Sequence, residues 1–366
     1  MIQWHELVAA WRQQGCPLVS VADVKTVSAF ANVDADYAQA VGRGGWCDRA
    51  HRAAIEIRGK DRIAWLHNLT TNQVKTLQPG EGNYAFVLNV KGRILFDVNV
   101  LVQPERIVLD LDRRLVGAAV AHFNKYIIME DVTVDDRSAD WRQLALVGGA
   151  VETVPAAWGL TNAATMADLQ SALVSVTSPF DATLLAFRND FCGLSGLELL
   201  GPADAVAGLW RWLSDAHTVS GLAPIGYDAI ERLRIESGIP APPGEFNDDV
   251  LPAETGQLSR AVSFQKGCYL GQEVVERMRA HKSLAKKLVG LRLSSEVEPG
   301  CRLQLGDTVV GKLTSACVSP ASGGIIGLGY VRTAQANPGT GLVAVGTAGS
   351  AAAEVTDLPF RLNAAS

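Results

Sequence analysis

The stretch Phe264-Gln-Lys-Gly-Cys-Tyr-Leu-Gly-Gln-Glu-Val-Val-Glu-Arg277 is the most distinctive in the chain. Gly267 and Gly271 bracket a tight turn, and the apolar periodicity that follows predicts a helix from about Gln272. Glu273 then sits where a helix N-terminus favours an anion. Cys268 stands just ahead of that N-terminus and two residues from Lys266. Aligned amide dipoles and a nearby ammonium both favour thiolate over thiol, the condition under which a cysteine reacts near neutral pH. The competing reading is a small buried hydrophobe, the commoner fate of an unpaired cysteine.

Working outward, Asp228-Ala-Ile-Glu-Arg-Leu-Arg-Ile-Glu236 reads as a helix ended by Gly238 and Pro240. Pro240 to Pro252 must be irregular, because proline removes backbone donors and fixes φ, and its length marks a candidate functional loop. After His281 the texture becomes short Val/Leu/Ile strands with Gly and Pro turns, which predicts a small C-terminal β-barrel or sandwich. Between them runs a basic series, Arg277, Arg279, His281, Lys282, Lys286 and Lys287, able to attract an anionic small molecule, an acidic protein or RNA; most such runs are solvated faces.

Toward the N-terminus, Met1 to about Gly45 opens with an amphipathic helix (Trp4, Leu7, Val8, Trp11) and reads as a lid or edge element. Ala54 to Arg58 is a strand, Asp61 can cap a helix over Arg62 to Leu69, and Tyr84 to Val90 and Ile94 to Leu101 form a hairpin about Lys91-Gly-Arg93. Ile107 to Leu111 is a strand and Leu115 to Tyr126 a helix. Strands at Leu144 to Val147, Ser171 to Val176, Thr183 to Phe187 and Gly196 to Leu200 follow, then a helix over Ala203 to Ala216. Mixed antiparallel strands and helices before an all-β module predict an α+β fold without a doubly wound parallel sheet.

Composition narrows the function classes. The chain has 366 residues, 48% hydrophobic and 19% charged, with a formal net charge of −5, so it is a multidomain globular chain and not a general nucleic-acid or lipid binder. No run approaches the ~18 apolar residues of a membrane span, and Met1-Ile-Gln-Trp-His-Glu6 lacks a secretory pattern, so a cytoplasmic protein is expected. The six cysteines include no C-x-x-C pair, which fits a reducing compartment, and no His/Cys cluster has metal-ligand spacing.

Lys266-Gly-Cys-Tyr-Leu-Gly-Gln-Glu273 resembles the signature of the YgfZ family, folate-binding proteins of iron–sulfur cluster assembly and repair, which are related to the glycine cleavage aminomethyltransferase, or T-protein. Ile57-Arg-Gly-Lys-Asp-Arg-Ile-Ala-Trp-Leu66, Leu69-Thr-Thr-Asn72, Leu88-Asn-Val-Lys-Gly-Arg-Ile94, Arg234-Ile-Glu-Ser-Gly-Ile-Pro240 and Pro252-Ala-Glu254 are similar to segments of the same superfamily. The likeness covers Tyr37 to about Leu291; the tail matches in texture. It implies three domains around a central opening that holds tetrahydrofolate or another reduced folate. The expected partition is an extension over 1–45, a folate domain over 46–131 with about 221–280, a second α+β domain over 132–220, and a barrel over 281–366.

On that resemblance, Cys268 and Lys266 are the candidate reactive pair, and Asp97, Arg234, Glu254, Tyr269, Gln272 and Glu273 the candidate folate contacts, with no metal ligands. Two positions depart from the aminomethyltransferases. An acidic pair reads Phe96-Asp97 here, and in Arg188-Asn-Asp-Phe-Cys-Gly-Leu-Ser-Gly-Leu-Glu198 a glutamate that meets the pterin edge is replaced by Leu194, which accepts no hydrogen bond. The leading expectation is a monomeric, folate-dependent accessory factor serving iron–sulfur client proteins or their assembly machinery. An aminomethyltransferase or demethylase is the alternative, and a non-catalytic interaction module the third.

Overall fold

The computed structural model describes residues 4–176, 182–215, 221–281, 284–347 and 349–360. By its contacts the chain divides into two units. The first comprises Met1–His67, Gln73–Tyr84 and Val98–Ile230, and the second Asn68–Asn72, Ala85–Asp97 and Glu231–Ser366.

The first unit opens with α1 (Trp4–Gln13), the hairpin β1 (Leu18–Val21) and β2 (Val24–Val27), and α2 (Val33–Gly42), capped by the Asn32 side chain on the Ala35 amide. There follow β3 (Gly45–Asp48), β4 (Arg52–Arg58), α3 (Arg62–Leu69), β5 (Gly82–Leu88), β6 (Ile94–Val102), β7 (Ile107–Asp112), α4 (Val116–Lys125), β8 (Thr133–Asp136), β9 (Trp141–Val147) and α5 (Ala150–Thr153). Next come β10 (Ser171–Val176), β11 (Ala182–Arg188), β12 (Gly196–Pro202), α6 (Ala203–Ser214) and the two-residue β13 (Ala223–Pro224). One sheet runs β5-β6-β7-β4-β8 and another β10-β11-β12-β9-β3-β13. In the second sheet β13 alone lies parallel to its neighbour.

Apolar spacing accounts for the packing of α6 and α1. Leu209, Trp210 and Leu213 of α6 bury with Trp46, Leu144, Leu146, Leu197 and Leu199 of the sheet. Trp4, Leu7 and Trp11, three and four residues apart on α1, enter the same core, where Trp11 meets the Trp210 ring edge-on at 5.0 Å. The N-terminal stretch is therefore core and not the lid or edge element that its position suggested. Burying large side chains stabilises by about 1.5–3 kcal/mol each, which outweighs the modest helix propensity of a ten-residue segment. Asp61 does not act as the expected cap; its carboxylate accepts the Asp131 amide at 2.9 Å. The helix over 203–214 matches its expected start, while Ala216 lies outside the described residues, as does Lys282 of the basic run.

The second unit holds the tip of the β5–β6 hairpin, the end of α7 (Tyr227–Glu236), the irregular 240s, the short α8 (Leu258–Ala261) and α9 (Gln272–His281). It ends in β14 (Lys286–Leu293), β15 (Arg302–Leu305), β16 (Thr308–Ser319), β17 (Gly324–Arg332), β18 (Gly341–Val345) and β19 (Ser350–Thr356). These six close into a barrel, β14-β17-β16-β15-β18-β19, around Leu291, Leu303, Leu313, Val331, Leu342 and Val355. Closure leaves no sheet edge to pair with another chain. The α+β class and the terminal barrel expected from sequence are both present.

Candidate functional site

The signature turn ends where α9 begins, at Gln272, and its backbone is strapped to Leu69-Thr-Thr-Asn72. The Leu270 amide donates to Asn68 O at 3.2 Å and the Ser263 amide to Thr71 O at 3.0 Å. The Thr71 hydroxyl donates to Ala261 O at 2.6 Å and accepts from the Phe86 amide at 2.9 Å, while Asn72 Nδ2 donates to Arg260 O at 2.9 Å. Thr71 thus stitches three chain segments together. The other fastening is Lys266, 6% exposed, whose ammonium donates to Thr70 O and, at 2.8 Å, to Asn72 O. Its Nζ also lies 5.0 Å from the centre of the Tyr269 ring.

Two glycines set how closely this turn approaches the hairpin tip. Gly271 has φ +83°, and a Cβ there would stand 2.7 Å from Asn89 O and 3.1 Å from Gly92 Cα. Gly92, at φ +72°, would place its own Cβ 2.6 Å from Val274 Cβ. The Lys91-Gly-Arg93 turn and the start of α9 interlock backbone to backbone, a contact that side chains at either position would prevent.

Against this frame the candidate residues fall into separate groups. Cys268 is exposed, whereas Lys266 and Tyr269, on either side of it, are buried. Lys266 spends its charge on backbone carbonyls, a fastening role that the two-residue spacing to Cys268 did not reveal. The Tyr269 hydroxyl is buried without a hydrogen-bond partner among the described residues, and burial, with Glu276 nearby, pushes its ionisation up. Gln272 is half-buried and Glu273 exposed at the first turn of α9. Asp97 is 6% exposed on β6, next to the fully enclosed ring of Phe96. Arg93, at the hairpin turn four residues earlier, donates to Asp249 O.

Arg234 belongs to a different cluster. It donates to Glu231 Oε2 at 3.0 Å, Ile239 O at 2.7 Å, Ser315 Oγ at 3.1 Å and Glu245 Oε2 at 3.4 Å, and it is 7% exposed. Arg234, set down above as a candidate folate contact, is the buried tie between α7, the 240s loop and β16. Glu245 is the residue that sequence reasoning missed here. Its carboxylate also accepts the Ser315 hydroxyl at 2.7 Å and the Ala241 amide at 3.0 Å, and an acidic residue inside a Pro-rich stretch was the available signal. Glu254 is 3% exposed and turns back to accept the Leu251 amide at 3.0 Å; burial holds its carboxyl above the usual range.

The first unit carries a buried ion pair that the sequence motifs touched without assigning. Arg49 meets Glu198 at 3.2 Å, and Asn189 Nδ2 and Gln143 Nε2 donate to the same carboxylate. The Arg49 guanidinium stacks 3.7 Å from the centre of the Phe191 ring. Around it the thiols are suppressed: burial pushes Cys47 well up and Cys192 up to about 11, as it does Cys317 in the barrel, up to about 12. Among the described residues no group of three or more His, Cys, Asp or Glu could hold a metal ion, and no helix is long and apolar enough to cross a membrane.

Comparison with known proteins is consistent along nearly the whole chain. Residues 7–266 match the GCVT N-terminal domain family and residues 286–361 the glycine cleavage T-protein C-terminal barrel domain. An aminomethyltransferase of Rubrobacter xylanophilus is 29% identical over 87% of this chain and 84% of its own. One of Streptomyces avermitilis is 30% identical over 87% of this chain and 86% of its own. The crystal structure of glycine cleavage system aminomethyltransferase T from Bartonella henselae superposes with a TM-score of 0.86, at 20% identity and 97% coverage of both chains.

Proposed function

The chain belongs to the glycine cleavage T-protein family, and from that membership we propose that it binds a reduced folate and acts as a YgfZ-type accessory factor for iron–sulfur enzymes. The observation that carries the accessory role is the exposure of Cys268 between two buried neighbours of the signature. Lys266 and Tyr269 anchor the turn, and the thiol is the side chain left accessible for chemistry. The twofold departure at Phe96 and Leu194 supports the same reading, because neither residue offers the charge or acceptor of an aminomethyltransferase site.

The residues present fit a folate. The buried Tyr269 hydroxyl has no partner among the described residues, and a buried hydroxyl costs about 1–3 kcal/mol unless something satisfies it. A pterin ring carries both donors and acceptors, so Tyr269 and Asp97 are the groups assigned to hold it, with Gln272 and Glu273, three and four residues after Tyr269, at the start of α9. Arg234 and Glu254 play no direct part in this assignment, since both are engaged within the chain. Bound folate would supply a carrier for one-carbon units. The chain's own contribution is to orient it and to present Cys268. The three-domain partition with its central opening, the monomeric state and a cytoplasmic location belong to the same proposal.

The names of the relatives favour a second reading, aminomethyl transfer, in which Asp97 would act without an acidic neighbour. Calorimetry with tetrahydrofolate tests the shared premise: binding is expected, and Tyr269→Phe is expected to weaken it several-fold. No binding at several hundred micromolar folate removes both readings. Ammonia release from an aminomethyl-lipoyl carrier separates them, with background rates expected. Failure of Cys268→Ser to restore iron–sulfur enzyme activity in a deletion strain, while still binding folate, is the result that the accessory role requires.

A further inference from the structure

A cavity of about 510 Å3 in the first unit, built from α1, β2, β9 and the start of α6, has no part in the site above. From its lining we propose that it binds a small polyanion, a molecule bearing a pyrophosphate or several carboxylates together with an apolar portion. Its volume lies within the ~300–1,000 Å3 of small-molecule sites.

The cations come from separate segments that only the fold brings together: Arg12 on α1, Lys25 on β2 and Arg142 on β9, with His5 as a fourth basic group. The lining includes no Asp or Glu. In a chain whose formal net charge is −5, three cations and no carboxylate in the lining of one concavity are a local reversal of sign, and such a concavity concentrates anions. Trp4, Val8 and Val24 supply the apolar wall. Ala203, the first residue of the twelve-residue α6, also lines it; the carboxylate of Asp204 in that first turn accepts the Ala205 amide at 2.9 Å, so the cavity's positive character rests on the side-chain cations.

Arg142 is held in place beforehand. Its Nη1 donates to Ser138 O at 2.9 Å and Trp141 O at 2.7 Å. The carboxylates that act on it are Asp48 and Asp140. Asp48 is buried at the end of β3 and Asp140 pairs with Arg137 at 3.3 Å, and neither lines the cavity. Arg12 and Lys25 are exposed and can swing onto a ligand.

The test uses the full chain and two probes, inorganic pyrophosphate and citrate, titrated by calorimetry at low and at near-physiological salt. At least one probe is expected to bind, with affinity falling as salt rises, and the stronger of the two identifies phosphate or carboxylate as the preferred group. Arg12→Ala and Lys25→Ala should each weaken binding about three- to tenfold, and the double variant should bring it near background while leaving the ligand-free melting temperature unchanged. Lys312→Ala, on the exposed face of the barrel, should bind like the parent chain. Absence of binding by both probes overturns the proposal. So does a double variant that binds as tightly as the parent, which would show that the anions attach elsewhere.

Discussion

Replacing Gly271 by alanine tests the interlock between the signature turn and the hairpin tip. The backbone there is left-handed, at φ +83°, which costs a residue with a Cβ about 1–2 kcal/mol. The new methyl would also stand 2.7 Å from Asn89 O and 3.1 Å from both Gly92 Cα and Leu88 Cβ, so atoms on two sides must move. Overpacking of that kind costs about 1–3 kcal/mol. The sum is a loss of about 2–5 kcal/mol. Gly267, four residues earlier in the same signature, is the internal control: a Cβ there meets nothing within 4 Å, and its φ is not left-handed. Gly267→Ala should stay within about 0.5 kcal/mol of the parent. The assay is urea unfolding followed by far-ultraviolet circular dichroism, because all eight tryptophans lie in the first unit and their emission reports on it and not on the second. A Gly271→Ala protein as stable as the parent would refute the close-approach argument. Equal losses at both glycines would refute it too, since they would point to a shared need for flexibility in the turn.

Lys266→Met should destabilise by about 2–4 kcal/mol, because Thr70 O and Asn72 O lose a charged donor that nothing replaces; unchanged unfolding in urea would return Lys266 to a purely chemical role. At pH 7.5 a small alkylating reagent should modify Cys268 first, with Cys47, Cys192 and Cys301 last, since these three are buried; peptide mass spectrometry gives the order, and early labelling of Cys47 would contradict it. Burial pushes Asp48 up to about 7 from 3.8, offset in part by Thr26, the Ala50 amide, Arg142 and Arg49. Between about pH 4 and 7 the folded chain therefore keeps a proton that the unfolded chain releases, so this group's contribution to stability declines as pH rises and levels off above 7. Asp48→Asn should remove that slope and gain up to a few kcal/mol at pH 8, but little at pH 4, in parallel urea titrations; equal effects at both values would show that Asp48 does not titrate late.

Local pattern was enough for most elements. The helix over Tyr227–Glu236, the strand over Ser171–Val176, the start of α9 at Gln272 and the terminal barrel all followed from periodicity and turn residues, because each is decided by its own neighbours. The N-terminal segment was misjudged for the opposite reason. Its fate depends on Trp210, far along the chain, and no local rule shows that partner. At the candidate site, the signature marked a turn ahead of α9 but not the division of labour inside it. That Lys266 points to Thr70 and Asn72, or that Arg234 meets Glu245 and Ser315, is a property of tertiary neighbours. Spacing along one element could supply only the guess that charges two residues apart act on each other.

The clasp on Thr71 has a consequence for how the chain must come into being. Its two sides, Thr71 and Ala261, are 190 residues apart, and Lys266 and Asn72 are 194 apart. At a synthesis rate of ~5–20 residues per second, the earlier side waits roughly 10–40 s for the later one. During that interval Leu69–Asn72 and the hairpin tip have been made, yet the 260s that fasten them have not. The second unit is thus a late-closing structure whose completion depends on the final third of the chain, while α1, α6 and their sheet can already bury their tryptophans. A nascent chain that stalls between Ile230 and Ala261 would carry the whole first unit and an unfastened hairpin, the kind of half-built surface on which chaperones act.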